Sequence, residues 1–189
     1  MRGMTARGVL AAGLAAGILA GVLATTAGAQ DEPTESDAAV DAIVQPFGQW
    51  ALRCATAEST APCDIVQILT DRESGAPVVS MSLAYSAEDL ITAVQVVAPL
   101  GVHLPSGLKL AVGDLDPPSA PYARCELQGC YVEVRLAEEA LAQMRIAPLL
   151  TLTFAIAPER MVSIEMGLEG FPEAYDALVA EMTARSTPE

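Results

Sequence analysis

From about residue 45 onward, apolar and polar side chains alternate with period two in one short run after another. Residues 49–54 carry Trp50 and Leu52, and residues 63–70 carry Ile65, Val66, Ile68 and Leu69. Residues 76–85 set Val79, Met81, Leu83 and Tyr85 on one face and Ser80, Ser82 and Ala84 on the other. Residues 91–98 place Ile91, Ala93, Gln95 and Val97 opposite Val94 and Val96. Alternation of this kind puts one face of a strand into a core and leaves the other in water. Glu73-Ser74-Gly75 and Ser86-Ala87-Glu88-Asp89 are the turn signals between these runs.

The pattern continues towards the C-terminus. Pro99-Leu100-Gly101 and Leu104-Pro105-Ser106-Gly107 bracket a short apolar piece, Val102-His103-Leu104. A short strand is predicted over 108–112, and residues 113–121 form a Pro/Asp turn region. Residues 122–126 and 131–136 read as a hairpin. The period then changes over 137–145, where Leu141 and Met144 stand three apart among Ala, Glu and Gln, which predicts a short helix. Residues 149–157 return to alternation through Leu150, Leu152, Phe154 and Ile156, and 161–168 is the expected antiparallel partner. A final helix is predicted over 172–185, with Pro172 at its first position and Tyr175, Leu178, Val179 and Met182 on one stripe that docks on the sheet. About eight or nine short strands with only two helices indicate an antiparallel β-sandwich.

The first residues have a different character. Arg2 and Arg7 precede an uncharged stretch over 8–24, and Ala27 and Ala29 then offer the small-residue spacing of a cleavage site. This is the form of a secretory signal peptide over 1–29, cleaved after Ala29. The competing reading is a retained membrane anchor, since the apolar run approaches the length of a span. No Cys stands beside the site to carry an N-terminal lipid. Residues 30–45 follow as an acidic flexible segment, with Asp31, Glu32, Glu35, Asp37 and Asp41 and no basic residue. The domain is expected over 46–185, a size that suits a single core.

Cleavage would sharpen the charge. The leader holds two Arg and no acid, so residues 30–189 carry 8 Lys and Arg against 24 Asp and Glu, a net charge of −16. Such a surface repels phosphates and anionic lipid heads, and the basic residues form no stripe, so nucleic acid is not an expected partner. The acids are scattered, as on a solvated surface.

Four cysteines remain, Cys54, Cys63, Cys125 and Cys130. An even count in an exported chain points to disulfides, with three possible connectivities. The local one, Cys54–Cys63 with Cys125–Cys130, is preferred. Cys125 and Cys130 flank a hairpin tip, and Cys54 and Cys63 flank a polar stretch between two strand-like runs, so each pair can meet across paired strands. A zinc site is the alternative, but the Cys-x2-Cys spacing is missing.

Catalytic chemistry is sparse. His103 is the only histidine, and no Gly-x-Ser-x-Gly or comparable nucleophile context accompanies it. It reads as a half-exposed strand-edge residue, with a general base for envelope hydrolysis as the alternative. Asp114 and Asp116 could face one side of an extended segment and hold a hard cation, but a full calcium site needs six or more oxygens, so a solvated turn is expected. Glu138 and Glu139 suit the first turn of a helix. Trp50 is expected in the core near Cys54. No catalytic, cofactor or metal residue is assigned.

In order along the chain stand Phe47-Gly48-Gln49-Trp50, Cys54, Cys63, the run Val97-Ala98-Pro99-Leu100-Gly101-Val102-His103-Leu104-Pro105-Ser106-Gly107-Leu108, Arg124-Cys125, Gly129-Cys130, and Leu168-Glu169-Gly170-Phe171-Pro172-Glu173-Ala174-Tyr175-Asp176-Ala177-Leu178. This succession resembles the invasion-associated locus B family of exported proteins, over about 46–180. The resemblance implies an immunoglobulin-like β-sandwich in the periplasm or cell envelope, with a role in host-cell invasion for some pathogenic members. It implies no chemistry. His103 departs from the apolar residue expected at its place in the run. The function expected is a non-enzymatic binding or scaffold module with an envelope or host protein as partner and no cofactor. The alternatives are a small-ligand or cation carrier, or an envelope hydrolase using His103.

Overall fold

The computed structural model describes residues 42–55 and 63–186. The expected leader over 1–29, the expected cleavage site after Ala29 and residues 30–41 of the expected acidic segment lie outside the described residues.

Among the described residues, ten antiparallel strands form two sheets. The larger has seven, β1 (Ala42–Phe47), β2 (Trp50–Ala55), β3 (Asp64–Thr70), β4 (Pro77–Ser86), β5 (Ile91–Ala98), β7 (Arg124–Glu126) and β8 (Gly129–Arg135), in the order β1-β2-β3-β4-β5-β8-β7. The smaller has three, β6 (Leu108–Val112), β9 (Leu149–Ala157) and β10 (Arg160–Gly167), in the order β10-β9-β6. Helix α1 (Glu138–Met144) links β8 to β9, and α2 (Phe171–Ser186) ends the described chain. The fold is mainly antiparallel β with a short internal helix and a C-terminal helix, in a sandwich arrangement.

One face of the large sheet supplies most of the core. Trp50, Leu52, Ile65, Met81, Leu83, Val94, Val96 and Val132 are buried there. Two elements cover that face. The small sheet brings Leu108, Val112, Leu150, Leu152 and Phe154, and α2 brings Phe171, Ala174, Tyr175 and Leu178. The helix packs on β1 to β4. Its aromatic rings interlock with the sheet, since Trp50 meets Phe171 edge-on with ring centroids 5.1 Å apart, and Tyr85 meets Tyr175 edge-on at 6.4 Å. Edge-to-face contacts of this kind align the positive rim of one ring with the negative face of the other.

The structure moves several boundaries. Residues 42–45, expected to belong to the acidic flexible segment, instead open an unexpected strand, β1, because Ile43 and Val44 pair with Cys54 and Arg53 of β2. The piece 102–104 is not extended throughout: Leu104–Ser106 forms a 3-10 turn, as Pro105 favours a fixed φ there. Helix α2 starts at Phe171, so Pro172 takes its second position. The alternation in β9 fails at its end. Met161 pairs with Ala155 and Arg160 with Ala157, so Ile156 is skipped as a bulge and its side chain is 38% exposed, whereas Ala155 is buried.

The two most widely separated pieces of the family-like succession touch. The Trp50 indole N–H donates to the Gly167 carbonyl at 3.1 Å, and the Gln49 N–H donates to the Glu169 carbonyl at 3.1 Å. The run between β5 and β6 is the crossing from one sheet to the other. The His103 backbone N–H ties it to the small sheet by donating to Ala155 at 2.7 Å.

Candidate binding cleft between the sheets

The two sheets part on the side where β6 faces β8. Strand β6 is the free edge of the small sheet, and residues 113–121 leave it and return to it. At one foot, Val112 and Leu115 exchange backbone hydrogen bonds of 3.0 and 3.1 Å; at the other, Leu108 and Ala120 exchange bonds of 2.8 and 2.9 Å. Between the feet, Asp116-Pro117-Pro118-Ser119 stands off as an arch without regular structure. The proline pair explains the departure. A ladder continued from Val112 and Leu115 would set Pro117 opposite Leu110, and proline has no N–H to give.

Two glycines hold the feet. Gly107 has φ +64° with ψ −169°, a conformation essentially restricted to glycine, and a Cβ there would strike the Ala120 carbonyl. Gly113 turns the chain at φ +56°, and the Gln143 side chain of α1 lies over it where a Cβ would be.

Beneath the arch lies a half-open cleft of about 530 Å3. The large sheet contributes Val96, Val132 and Val134 to its walls, and β6 contributes Leu108, Leu110 and Val112. Leu136, Ala137 and Ala140 close the α1 side, and Pro117 and Pro118 form the roof. Volume and apolar walls are those of small-molecule sites. Asp116, Arg135 and Glu139 are the charged residues of the lining. Asp116 is paired with Lys109 at 3.1 Å.

The residues singled out in the sequence lie elsewhere or serve other ends. Cys54 is bonded to Cys63, one step beyond the Arg53–Asp64 pair of the β2–β3 register, and Cys125 is bonded to Cys130 directly across the β7–β8 hairpin. These are the local pairs. Glu181 stands within reach of the first disulfide, but sulfurs committed to a disulfide are not thiolate ligands. No other cluster of three or more Cys, His, Asp or Glu side chains suited to an ion occurs among the described residues. Asp114 is exposed at the turn, and Trp50 is in the core on the same face of β2 as Cys54.

His103 is half-buried, and its Nδ1 shares a 2.8 Å hydrogen bond with the Ser106 hydroxyl. The two lie three residues apart in one turn, as histidine and serine closing a local loop. No carboxylate among the described residues bonds to the ring, so the orienting third member of a nucleophilic triad is missing from its surroundings.

The perturbed ionisations also sit off the cleft. On the outer face of the large sheet, a hydrogen bond from Arg124 holds the Glu133 carboxyl below the usual range, aided by one from Gln95 at 3.1 Å. Burial pushes the Tyr122 phenol up to about 12.

Residues 50–179 match the family described as Invasion associated locus B (IalB) protein. The chain belongs to this family. Among solved structures, it is similar to the crystal structure of invasion associated protein B from Bartonella henselae, with a TM-score of 0.65, 22% identity, and coverage of 73% of this chain and 96% of that one. No curated protein sequence matches the chain. The structural likeness concerns the fold. The matched region, 50–179, takes in both disulfides, the crossing run and the whole cleft, while β1 lies ahead of it.

Sequence reasoning missed the cleft. Apart from Asp116, Arg135 and Glu139, its lining is ordinary Val, Leu, Ala and Pro, types that read as core or turn. The one available signal was Pro117-Pro118 directly after a short strand and a tight turn, which forbids the hairpin that would otherwise close over β6.

Proposed function

We propose that this member of the invasion-associated locus B family is an exported, non-enzymatic binding module of the periplasm or cell envelope, and that the cleft beneath the 116–119 arch is its ligand seat. The observation that carries the reading is the apolar, half-open cleft of about 530 Å3. Of the residues singled out for chemistry in this chain, His103 and the four cysteines lie off the cleft, and Asp116 on its lining is paired with Lys109, which supports binding over turnover. Export is supported by the leader-like residues 1–29 and by two disulfides, which persist in oxidising compartments. No helix among the described residues is long and apolar enough to cross a membrane. In pathogenic relatives such a module would contribute to host-cell interaction through a protein partner, in keeping with the name of the Bartonella henselae protein.

Native mass spectrometry of protein extracted from the periplasm tests the seat. We expect a chain beginning at Gln30 with a copurifying small molecule. An apo mass from every preparation, together with failure of apolar probes to bind, would refute the ligand seat. A mass that retains residues 1–29 would refute cleavage.

A further inference from the structure

We infer that the cleft takes a neutral apolar molecule whose head carries a hydrogen-bond donor and an acceptor side by side, as in a primary carboxamide or a lactam, held by the backbone of Leu110. This rests on the ligand seat proposed above and names its chemistry.

The inference comes from the ladder of β6. In an extended strand, the N–H and C=O groups of residues i and i+2 point to the same edge. Leu108 and Val112 direct theirs to Ala120 and Leu115 in the arch. Leu110 lies between them, so its N–H and C=O point to that edge too, while Lys109 and Ala111 turn towards Thr153 and Thr151 of β9. Opposite Leu110 the arch has lifted away, and no hydrogen bond among the described residues reaches either group. Leu110 also lines the cleft. A largely apolar pocket therefore presents the backbone donor and acceptor of Leu110, in a wall of Val, Leu, Ala and Pro with Asp116, Arg135 and Glu139 as its charged members.

The geometry narrows the occupant. An extended peptide adding as a strand needs several consecutive open residues, and the feet of the arch already occupy Leu108 and Val112. A single residue's N–H and C=O are matched by one head with its own C=O and N–H on the same side. A trans secondary amide points them apart; a primary amide or lactam does not. Charge disfavours an anion, since Asp116 and Glu139 flank the mouth with Arg135 and the chain as a whole is strongly acidic. The apolar tail would lie against Val96, Val132 and Leu136. Two stiff prolines keep the seat open before the ligand arrives, which lowers the cost of ordering it.

The test uses three probes of one chain length on the full mature protein, namely decanamide, N,N-dimethyldecanamide and decanoate. Decanamide should bind about tenfold more tightly than its dimethyl analogue, the effect of one hydrogen bond in an apolar site, and decanoate most weakly. Hydrogen exchange followed by NMR gives a second readout. In the free protein the Leu110 amide should exchange faster than those of Lys109 and Ala111, and decanamide should slow it. Leu110→Pro removes the N–H at the unladdered edge and should bring decanamide down to the dimethyl analogue; the exchange readout on the unaltered protein stands even if this variant fails to fold. Equal binding of all three probes, or a Leu110 amide already as protected as its neighbours, overturns the inference while leaving the ligand seat intact. Binding of none of them counts against the seat itself.

Discussion

The Tyr175 phenol on α2 and the Thr92 hydroxyl on β5 share a buried hydrogen bond of 2.5 Å. It ties the C-terminal helix to the middle of the large sheet across 83 residues of sequence. Removing one partner leaves the other buried and unsatisfied, which costs about 1–3 kcal/mol, whereas removing both is nearly neutral in an apolar setting. Thr92→Val and Tyr175→Phe should each lower the urea midpoint, and the double variant should recover part of the loss. Strictly additive losses would show that the bond contributes nothing as a pair.

Gly107→Ala should damage stability and binding together. Its backbone conformation and the nearness of the Ala120 carbonyl both exclude a side chain. A loss of at least about 1–3 kcal/mol in urea unfolding is expected from the backbone alone. The foot of the arch must shift, so the affinity for decanamide should also fall.

Tyr122→Phe should leave stability unchanged or raise it by up to about 1 kcal/mol, because the buried hydroxyl has no partner among the described residues. Its alkaline behaviour has a definite sign. In the unfolded chain a tyrosine gives up its proton near pH 10, whereas the native phenol holds it to about 12. The unfolded state thus binds fewer protons in that window, and stability should fall as pH rises through it. Ultraviolet titration of the wild type against Tyr122→Phe isolates the late-ionising phenol.

Glu133 titrates on the acid side. Its folded value is depressed, first by the hydrogen bond from Arg124. The stabilisation is therefore present above the unfolded glutamate value and is lost as pH falls through the folded one. Arg124→Met should raise the midpoint of Glu133 in a carboxyl-resolved NMR titration. An unchanged midpoint would mean that the surface pair is too mobile to matter.

Much of the frame was legible along the chain. Period-two alternation located β4, β5 and β9, the shift to helical spacing located α1, and the cysteines at the Cys125–Cys130 tip announced a paired hairpin. These are local signals, set by which side chains must leave water. The bulge at Ile156 was invisible because a skipped residue depends on the partner strand. Strand β1 was missed for a related reason: Ile43 and Val44, placed in the acidic flexible segment by the sequence, are exposed, and that strand exists through its pairing with β2.

Sequence by itself determined an acidic β-domain with four cysteines in two local pairs and a C-terminal helix, and its ordered motifs pointed to the family. Tertiary structure decided what those motifs do. It joined the Gln49-Trp50 turn to Gly167 and Glu169, turned the run over 99–107 into a crossing between sheets, and confined His103 to a local bond with Ser106. It also decided the cleft. Pro117-Pro118 states in sequence that a donor is missing, but whose partner is lost depends on register, and register exists only once strands from distant parts of the chain have paired.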